Sequence, residues 1–301
     1  MFRLVFVSQS RLPDPHRLDL KGSPVWKDIH DGAKSEVDKN RDLIGEYVVL
    51  YDKEVYHDID RVIDCYQVGV EMGADAIIGP LAPQSGPAEE RLINVLRPFK
   101  GKVIAVNSGP SEKIKNALGP TLVGCAEPDE EKMGMVLAEE VFSFLKSKGI
   151  AVEVVIVPDD KPDHRGYRKR EMSIIETALR YGVKSIKIVS INIDDESTFL
   201  VEPEDKAVIF GLGPMGTIFA LKAKQRYPDR ILAIGTMDMS DETREAILSN
   251  GIHCSVLQNP REQGIKAVQM AMKALAGDTS AYKTLHCKVR VADINTIGSI
   301  K

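Results

Sequence analysis

The stretch VIFGLGPMGTIFALKAKQRYPDRILAIGTMDMSDETREAILSNGIHCSVLQNPREQG, residues 208–264, decides how the rest of this chain is read. It opens on an apolar strand, turns on glycine, and runs on as helix, strand, acidic turn, helix and strand before another helix begins. Gly211, Gly213 and Gly216 spell G-x-G-x-x-G between the strand and the helix, and Asp238 follows about 20 residues later. That is the dinucleotide fingerprint, in which a helix N-terminus holds a pyrophosphate and the acid holds a ribose hydroxyl. The competing reading is a tight turn that brings helix 214–226 close to its strand. Counting strands separates the two. A dinucleotide fold places the fingerprint in its first strand–helix unit and needs about six strands. Behind Asp238 only 253–258 and 285–291 read as strands. The chain is too short to finish that fold from Val208, so the glycines are read as a turn and no cofactor is expected.

The same alternation runs upstream. Strands are expected at 4–8, 46–51, 74–78 and 103–106, and helices at 26–39, 58–72 and 88–96. Trp26, Ile29, Ala33 and Val37 recur at helical spacing, and Gly73 ends the second helix. The pattern then repeats: an extended piece at 122–125, the acidic helix start Glu127-Pro128-Asp129-Glu130, helix 132–148, strand 152–157, helix 167–181 and strand 185–191. Such alternation implies a mostly parallel sheet covered on both faces. Two halves of similar layout imply two lobes, with a cleft between them as the natural ligand site.

Composition narrows the function. At 43% hydrophobic and 28% charged, with a formal net charge of −4, the chain gives no electrostatic reason to expect nucleic acid. It holds no apolar run of membrane-spanning length, so direct membrane insertion is not expected. Residues 1–7 read as a strand rather than a secretion signal, which places the protein in the cytoplasm or makes it an exported one whose signal lies outside this sequence. Cys65, Cys125, Cys254 and Cys287 form no C-x-x-C pair, so metal binding has little support. Buried thiols are the default, with a Cys254–Cys287 disulfide open to an oxidising compartment. None of His16, His30, His57, His164, His253 and His286 lies in a hydrolase or metalloprotease motif. The carboxylate pairs Asp159-Asp160 and Asp194-Asp195 read as solvated turns. Catalysis is not expected.

Several stretches resemble the type I periplasmic binding proteins of the ribose and galactose type, which share their core with lac-repressor-type regulators. They are SPVWKDIHDGA at 23–33, VGVEMGADAII at 68–78, VIAVNS at 103–108, GIHCSVLQNP at 251–260 with Glu262-Gln263-Gly264, and ALAG at 274–277. The resemblance covers nearly the whole chain. It implies two doubly wound α/β lobes joined by a three-crossover hinge, one at 1–122 and 258–283, the other at 123–257 and 284–301. It also implies a sugar or similar small polar ligand captured by hinge closure, and a membrane transporter or a sensor kinase as the partner. A periplasmic or extracellular location follows. The repressor branch is disfavoured, because the sequence begins at its first strand with no helix-turn-helix ahead of it.

The positions matched to the family's ligand-binding strand ends are Ser8, Gln9, Asn107, Ser108, Asp238 and Gln258. Trp26 matches the ring that the family sets against the sugar, with a core anchor as the equal alternative. Asp238 also reads as an acid ahead of a helix that Ser240 caps. An arginine near the start of the helix after strand 152–157 is expected to touch the ligand, and Arg168 and Arg170 both suit. The sequence departs from the family where an aspartate–arginine pair is replaced by Asn107-Ser108 and an Asn-Asp by Gly211-Leu212-Gly213-Pro214. The loop 11–22 is longer than expected. Other readings are a sensor domain of a membrane receptor, and an NAD(P)-dependent oxidoreductase built on Gly211–Gly216.

Overall fold

A computed structural model describes residues 1–9, 24–51, 58–81, 83, 86–159, 164–191, 206–278 and 282–299. In chain order it holds β1 (Phe2–Val7), α1 (Pro24–Lys39), β2 (Ile44–Leu50), α2 (Ile59–Glu71), β3 (Ala76–Gly79), α3 (Gly86–Leu96), β4 (Lys102–Val106), α4 (Glu112–Leu118) and β5 (Leu122–Pro128). Then come α5 (Glu130–Ser147), β6 (Val154–Asp159), α6 (Arg165–Arg180), β7 (Ser185–Ser190), β8 (Ala207–Gly211), α7 (Pro214–Arg226), β9 (Ile231–Met237) and α8 (Asp241–Leu248). The chain closes with β10 (Cys254–Leu257), α9 (Pro260–Leu275), β11 (Lys283–Cys287) and β12 (Arg290–Asp293).

These elements form two units. Unit 1 comprises Met1–Pro128 and Asn259–Lys288, and unit 2 comprises Asp129–Gln258 and Val289–Lys301. Each holds a six-stranded sheet, ordered β2-β1-β3-β4-β5-β11 in unit 1 and β7-β6-β8-β9-β10-β12 in unit 2. Both are the doubly wound order that steps outward from the second strand in each direction. All neighbouring strands are parallel except β10 and β12.

Parallel strands covered on both faces must be apolar throughout, and β1 shows why its residues suit that place. Leu4 and Phe6 face one core with Trp26, Ile29 and Ala33 of α1 and Ala267 and Ala271 of α9. Val5 and Val7 face the other, with Ile63 and Tyr66 of α2 and Leu92 of α3. In unit 2, Val155 and Val157 meet Leu137, Val141 and Phe142 of α5, while Val154 and Ile156 meet Phe219 and Ala220 of α7. Burying one such side chain contributes roughly 1.5–3 kcal/mol. Side-chain caps start the helices: Asp58 for α2, Ser111 for α4, Asp129 for α5 and Ser240 for α8 each accept from first-turn amides.

Three expectations are changed by the structure, and the default reading of the cysteines as thiols is kept. The strand expected over 285–291 is two, because β11 pairs with β5 in one sheet and β12 with β10 in the other. The two sheets also shift the expected lobe boundaries, since all of β5 and β11 lie in unit 1 rather than breaking at 122 and 283. Helix α4 was not expected; its signal is Ser111, whose hydroxyl accepts from Ile114 N–H. The four cysteines are free, with Cys287 in unit 1 and Cys254 in unit 2. Loop 11–22, His16, His57, Asp160 and the Asp194-Asp195 pair lie outside the described residues.

Candidate functional site

In doubly wound sheets, ligands gather at the carboxyl ends of the central strands. In unit 2 these ends carry Asp159 on β6, Gly211 on β8, Asp238 after β9 and Gln258 after β10. Asp238 adopts a left-handed backbone, φ 68°, a region that Asp and Asn enter more readily than other side chains. Its N–H donates to Val256 O at 3.0 Å, and Ser255 Oγ donates to its carbonyl at 2.7 Å. Gln258 Nε2 donates to Asp238 Oδ1 at 2.7 Å. Two neighbouring strand ends therefore present a joined carboxylate and amide, a set that both accepts and donates.

Unit 1 repeats the backbone device. Asn107, after β4, has φ 65°, and its N–H donates to Ala126 O of β5 at 3.0 Å. Ser108 N–H then donates to Val106 O at 2.7 Å, tightening the turn. Ser8 N–H donates to Leu50 O at 2.9 Å at the end of β1, and Gln9 follows it, half-buried. The positions expected from the sequence thus divide into Ser8, Gln9, Asn107 and Ser108 at the ends of β1 and β4, and Asp238 and Gln258 at the ends of β9 and β10. Asn107 and Asp238 thus make matching left-handed turns, and the sequence signal for each is an Asn or Asp directly after an apolar strand.

Trp26 is not a free stacking face. Its ring lies in the unit 1 core, edge-on to Phe6 with centroids 6.4 Å apart and planes at 67°. Anchoring α1 on β1 accounts for it, and the expected ligand role is dropped.

The two arginines are also spoken for within unit 2. Arg168 Nη2 donates to Asp159 Oδ2 at 2.6 Å and Nη1 to both Glu171 oxygens at 2.8 Å. Arg170 is 4% exposed. Its Nε donates to Glu130, its Nη1 to Leu212 O at 2.7 Å, and its guanidinium lies 5.2 Å from the Tyr167 ring centre. Burial alone would lower its pKa, but Glu130, aided by Asp238, outweighs this and raises it. Arg170 braces the turn after β8 from below, so the expectation that it touches ligand is withdrawn. Arg168, with a side chain 40% exposed, keeps a face to solvent.

The G-x-G-x-x-G glycines serve packing. A Cβ on Gly211 would lie 2.8 Å from Gly216 C, and one on Gly213 would lie 2.0 Å from Tyr167 Oη. The strand and helix touch at the first, and the tyrosine fills the space beside the second. Strand β8 is the third strand of its sheet, not the first, and the turn reading fits it. Among the described residues, no group of three His, Cys, Asp or Glu is placed to hold a metal ion, and no helix is long and apolar enough to cross a membrane.

Comparison with known proteins agrees with this architecture. A solved structure of a periplasmic ribose ABC transporter protein from Conexibacter woesei superposes with a TM-score of 0.78 at 16% identity, covering 99% of this chain and 94% of that one. An ABC transporter periplasmic solute-binding protein from Actinobacillus succinogenes, with bound D-allose, gives 0.76 at 15% identity, covering 99% and 100%. A protein assigned as a LacI transcriptional regulator from Bacteroides fragilis gives 0.70 at 13% identity, covering 100% of both. At these identities the likeness is one of fold. No curated protein sequence matches the chain. The family model described as a periplasmic binding protein domain matches residues 19–279, and the chain belongs to that family.

Proposed function

We propose that this protein is an extracytoplasmic solute-binding protein for a sugar or similar small polar molecule, with no catalytic role. Family membership supports binding rather than chemistry. The observation that carries the ligand class is the Asp238–Gln258 pair at adjoining strand ends, its turn fixed by Ser255. A polyol hydroxyl both donates and accepts, and that pair answers both needs. Gln9, Asn107, Ser108 and Arg168 complete the proposed contacts, while Ser8, 1% exposed, serves the end of β1 instead. Ligand binding shifts the protein toward a closed form, which a membrane transporter or a sensor kinase reads.

A thermal-shift screen of sugars, polyols and NAD(P), followed by calorimetric titration of the best hit, tests this reading. Charge-assisted hydrogen bonds contribute roughly 1.5–3 kcal/mol each, so removing the carboxylate should weaken binding by about ten- to several-hundred-fold. Asp238→Asn is the cleaner variant, because asparagine tolerates the left-handed backbone that alanine resists. Melting of the empty protein should change little. Unaltered binding by this variant, or stabilisation by NAD(P) that Gly213→Val abolishes, overturns the proposal.

A further inference from the structure

The amino ends of β6 and β7, at the far end of the unit 2 sheet from Asp159 and Ser190, border a depression of about 520 Å³. Small-molecule sites fall in the range of about 300–1,000 Å³. Two loops wall it, Gly149 to Val152 leading from α5 into β6, and Tyr181 to Val183 leading from α6, whose last residue is Arg180, into β7. Its apolar lining includes Phe142, Ile150, Val152 and Val183. The Tyr181 ring stacks on Phe142 with centroids 5.1 Å apart and planes at 24°, and its hydroxyl is 3.0 Å from Ser143 Oγ. Tyr181 is nevertheless 39% exposed and Ile150 37%, so apolar surface is left facing solvent beside the hollow.

The charged lining is of one sign. Lys146 and Arg180 line the depression, and no Asp or Glu does so among the described residues. Arg180 Nη2 donates to Thr177 Oγ1 at 2.9 Å and lies 3.5 Å from Glu139, with 60% of its side chain exposed. Both α5 and α6 end here, and cations near helix C-termini offset the dipole's negative end. That accounts for one basic residue on each helix. It does not account for a ligand-sized hollow or for the exposed aromatic face beside it.

We propose that this depression is a second binding site, for a small organic anion with a flat apolar body, such as an aromatic carboxylate. The ring lies against Tyr181 and Ile150, and the carboxylate meets the Arg180 guanidinium, whose forked donors suit two oxygens, with Lys146 as a second charge. The site does not depend on the strand-end reading, since it uses none of those residues.

Amide NMR of the whole chain titrated with 1-naphthoate tests it. The expected result is saturable shifts confined to residues 142–152 and 180–184, with half-saturation below about 1 mM. Arg180→Glu with Lys146→Glu should weaken binding tenfold or more, as should replacing the probe by neutral 1-naphthylmethanol. Ala151→Trp, which fills the hollow and keeps both charges, should abolish the shifts, while Lys100→Glu in unit 1 should leave them unchanged. Shifts elsewhere, no saturation by about 10 mM, equal binding of the alcohol, or insensitivity to charge reversal would overturn the proposal.

Discussion

The two units share a strand order but differ in their sixth strand, which is parallel to its neighbour in unit 1 and antiparallel in unit 2. The chain path explains this. Between β5 and β11, unit 1 contains α9, and a helical crossover returns a strand parallel to the last. Between β10 and β12, unit 2 contains no helix, because residues 259–288 belong to unit 1. The units also differ beneath their strand ends. Unit 2 encloses Arg170 on Glu130 and Leu212 O, whereas unit 1 holds its buried Glu89 by the Ser111 hydroxyl, with Lys113 at 3.9 Å. The buried Arg170 is thus held by a carboxylate, whereas Glu89 meets a hydroxyl, with a more exposed lysine further off.

The largest effect should come from breaking that asymmetry. Glu130→Ala strands an enclosed guanidinium and should cost about 3–5 kcal/mol. Glu89→Ala loses chiefly one hydroxyl bond and should cost about 1 kcal/mol. Urea unfolding of both variants checks this, and equal losses would mean that the buried pair carries no special weight.

A feature the units share should give the next largest effect. A Cβ on Gly264 would lie 1.9 Å from Ile29 O where α9 crosses α1, and one on Gly134 would lie 2.3 Å from Arg170 O where α5 meets α6. Backbone cannot yield as a side chain tip can. Gly264→Ala and Gly134→Ala should each lower stability by about 1–3 kcal/mol or more, read as melting temperature. If either is neutral, close approach does not hold that helix pair.

Smaller still are the left-handed turns. Asn107→Ala and Asp238→Ala should each cost about 1–2 kcal/mol of backbone strain, while the glycine variants should be nearly neutral. Denaturant midpoints would show it. A difference between the two positions would reveal that one turn is held by more than its own residue.

The smallest effect concerns pH. His30 stacks on Tyr47 in unit 1 with centroids 5.9 Å apart, and His253 stacks on Phe144 in unit 2 at 4.0 Å. Burial holds both below the usual histidine range, against the opposing pull of Asp31 and Asp293. A base with a lowered folded-state pKa binds fewer protons than in the unfolded chain. Its contribution is complete above the unfolded value of about 6.5 and is lost as pH falls through the folded one. Stability should therefore drop on acidification below about pH 6.5, and His253→Phe should flatten that part of the curve. Identical curves for wild type, His30→Phe and His253→Phe would remove histidine from the comparison.

Local periodicity and turn chemistry were enough for much of the fold. Apolar runs with glycine stops marked the strands, Asp129 and Ser240 marked helix starts, and the strand count after Asp238 argued against a cofactor at Gly211–Gly216. The Asp238 and Gln258 positions came from the family resemblance at residues 251–260 and the strand-end rule rather than from composition. What stayed hidden depends on contacts distant in sequence. Residues 285–291 look like one strand because Leu285, Cys287, Val289 and Val291 alternate with polar residues throughout, and only their partners, β5 and β10, divide them. Trp26 keeps the same helical spacing whether it meets a ligand or Phe6. Arg168 and Arg170 are indistinguishable by composition, yet two positions apart on α6 they point to different partners, Asp159 with Glu171 for one and Glu130 for the other. Sequence determined most of the elements that form, α4 and the division of 285–291 excepted, because propensity and patterning act within a few residues. Tertiary structure alone decided which sheet each edge strand joined and which side chains were enclosed, because pairing and burial are settled by residues far along the chain.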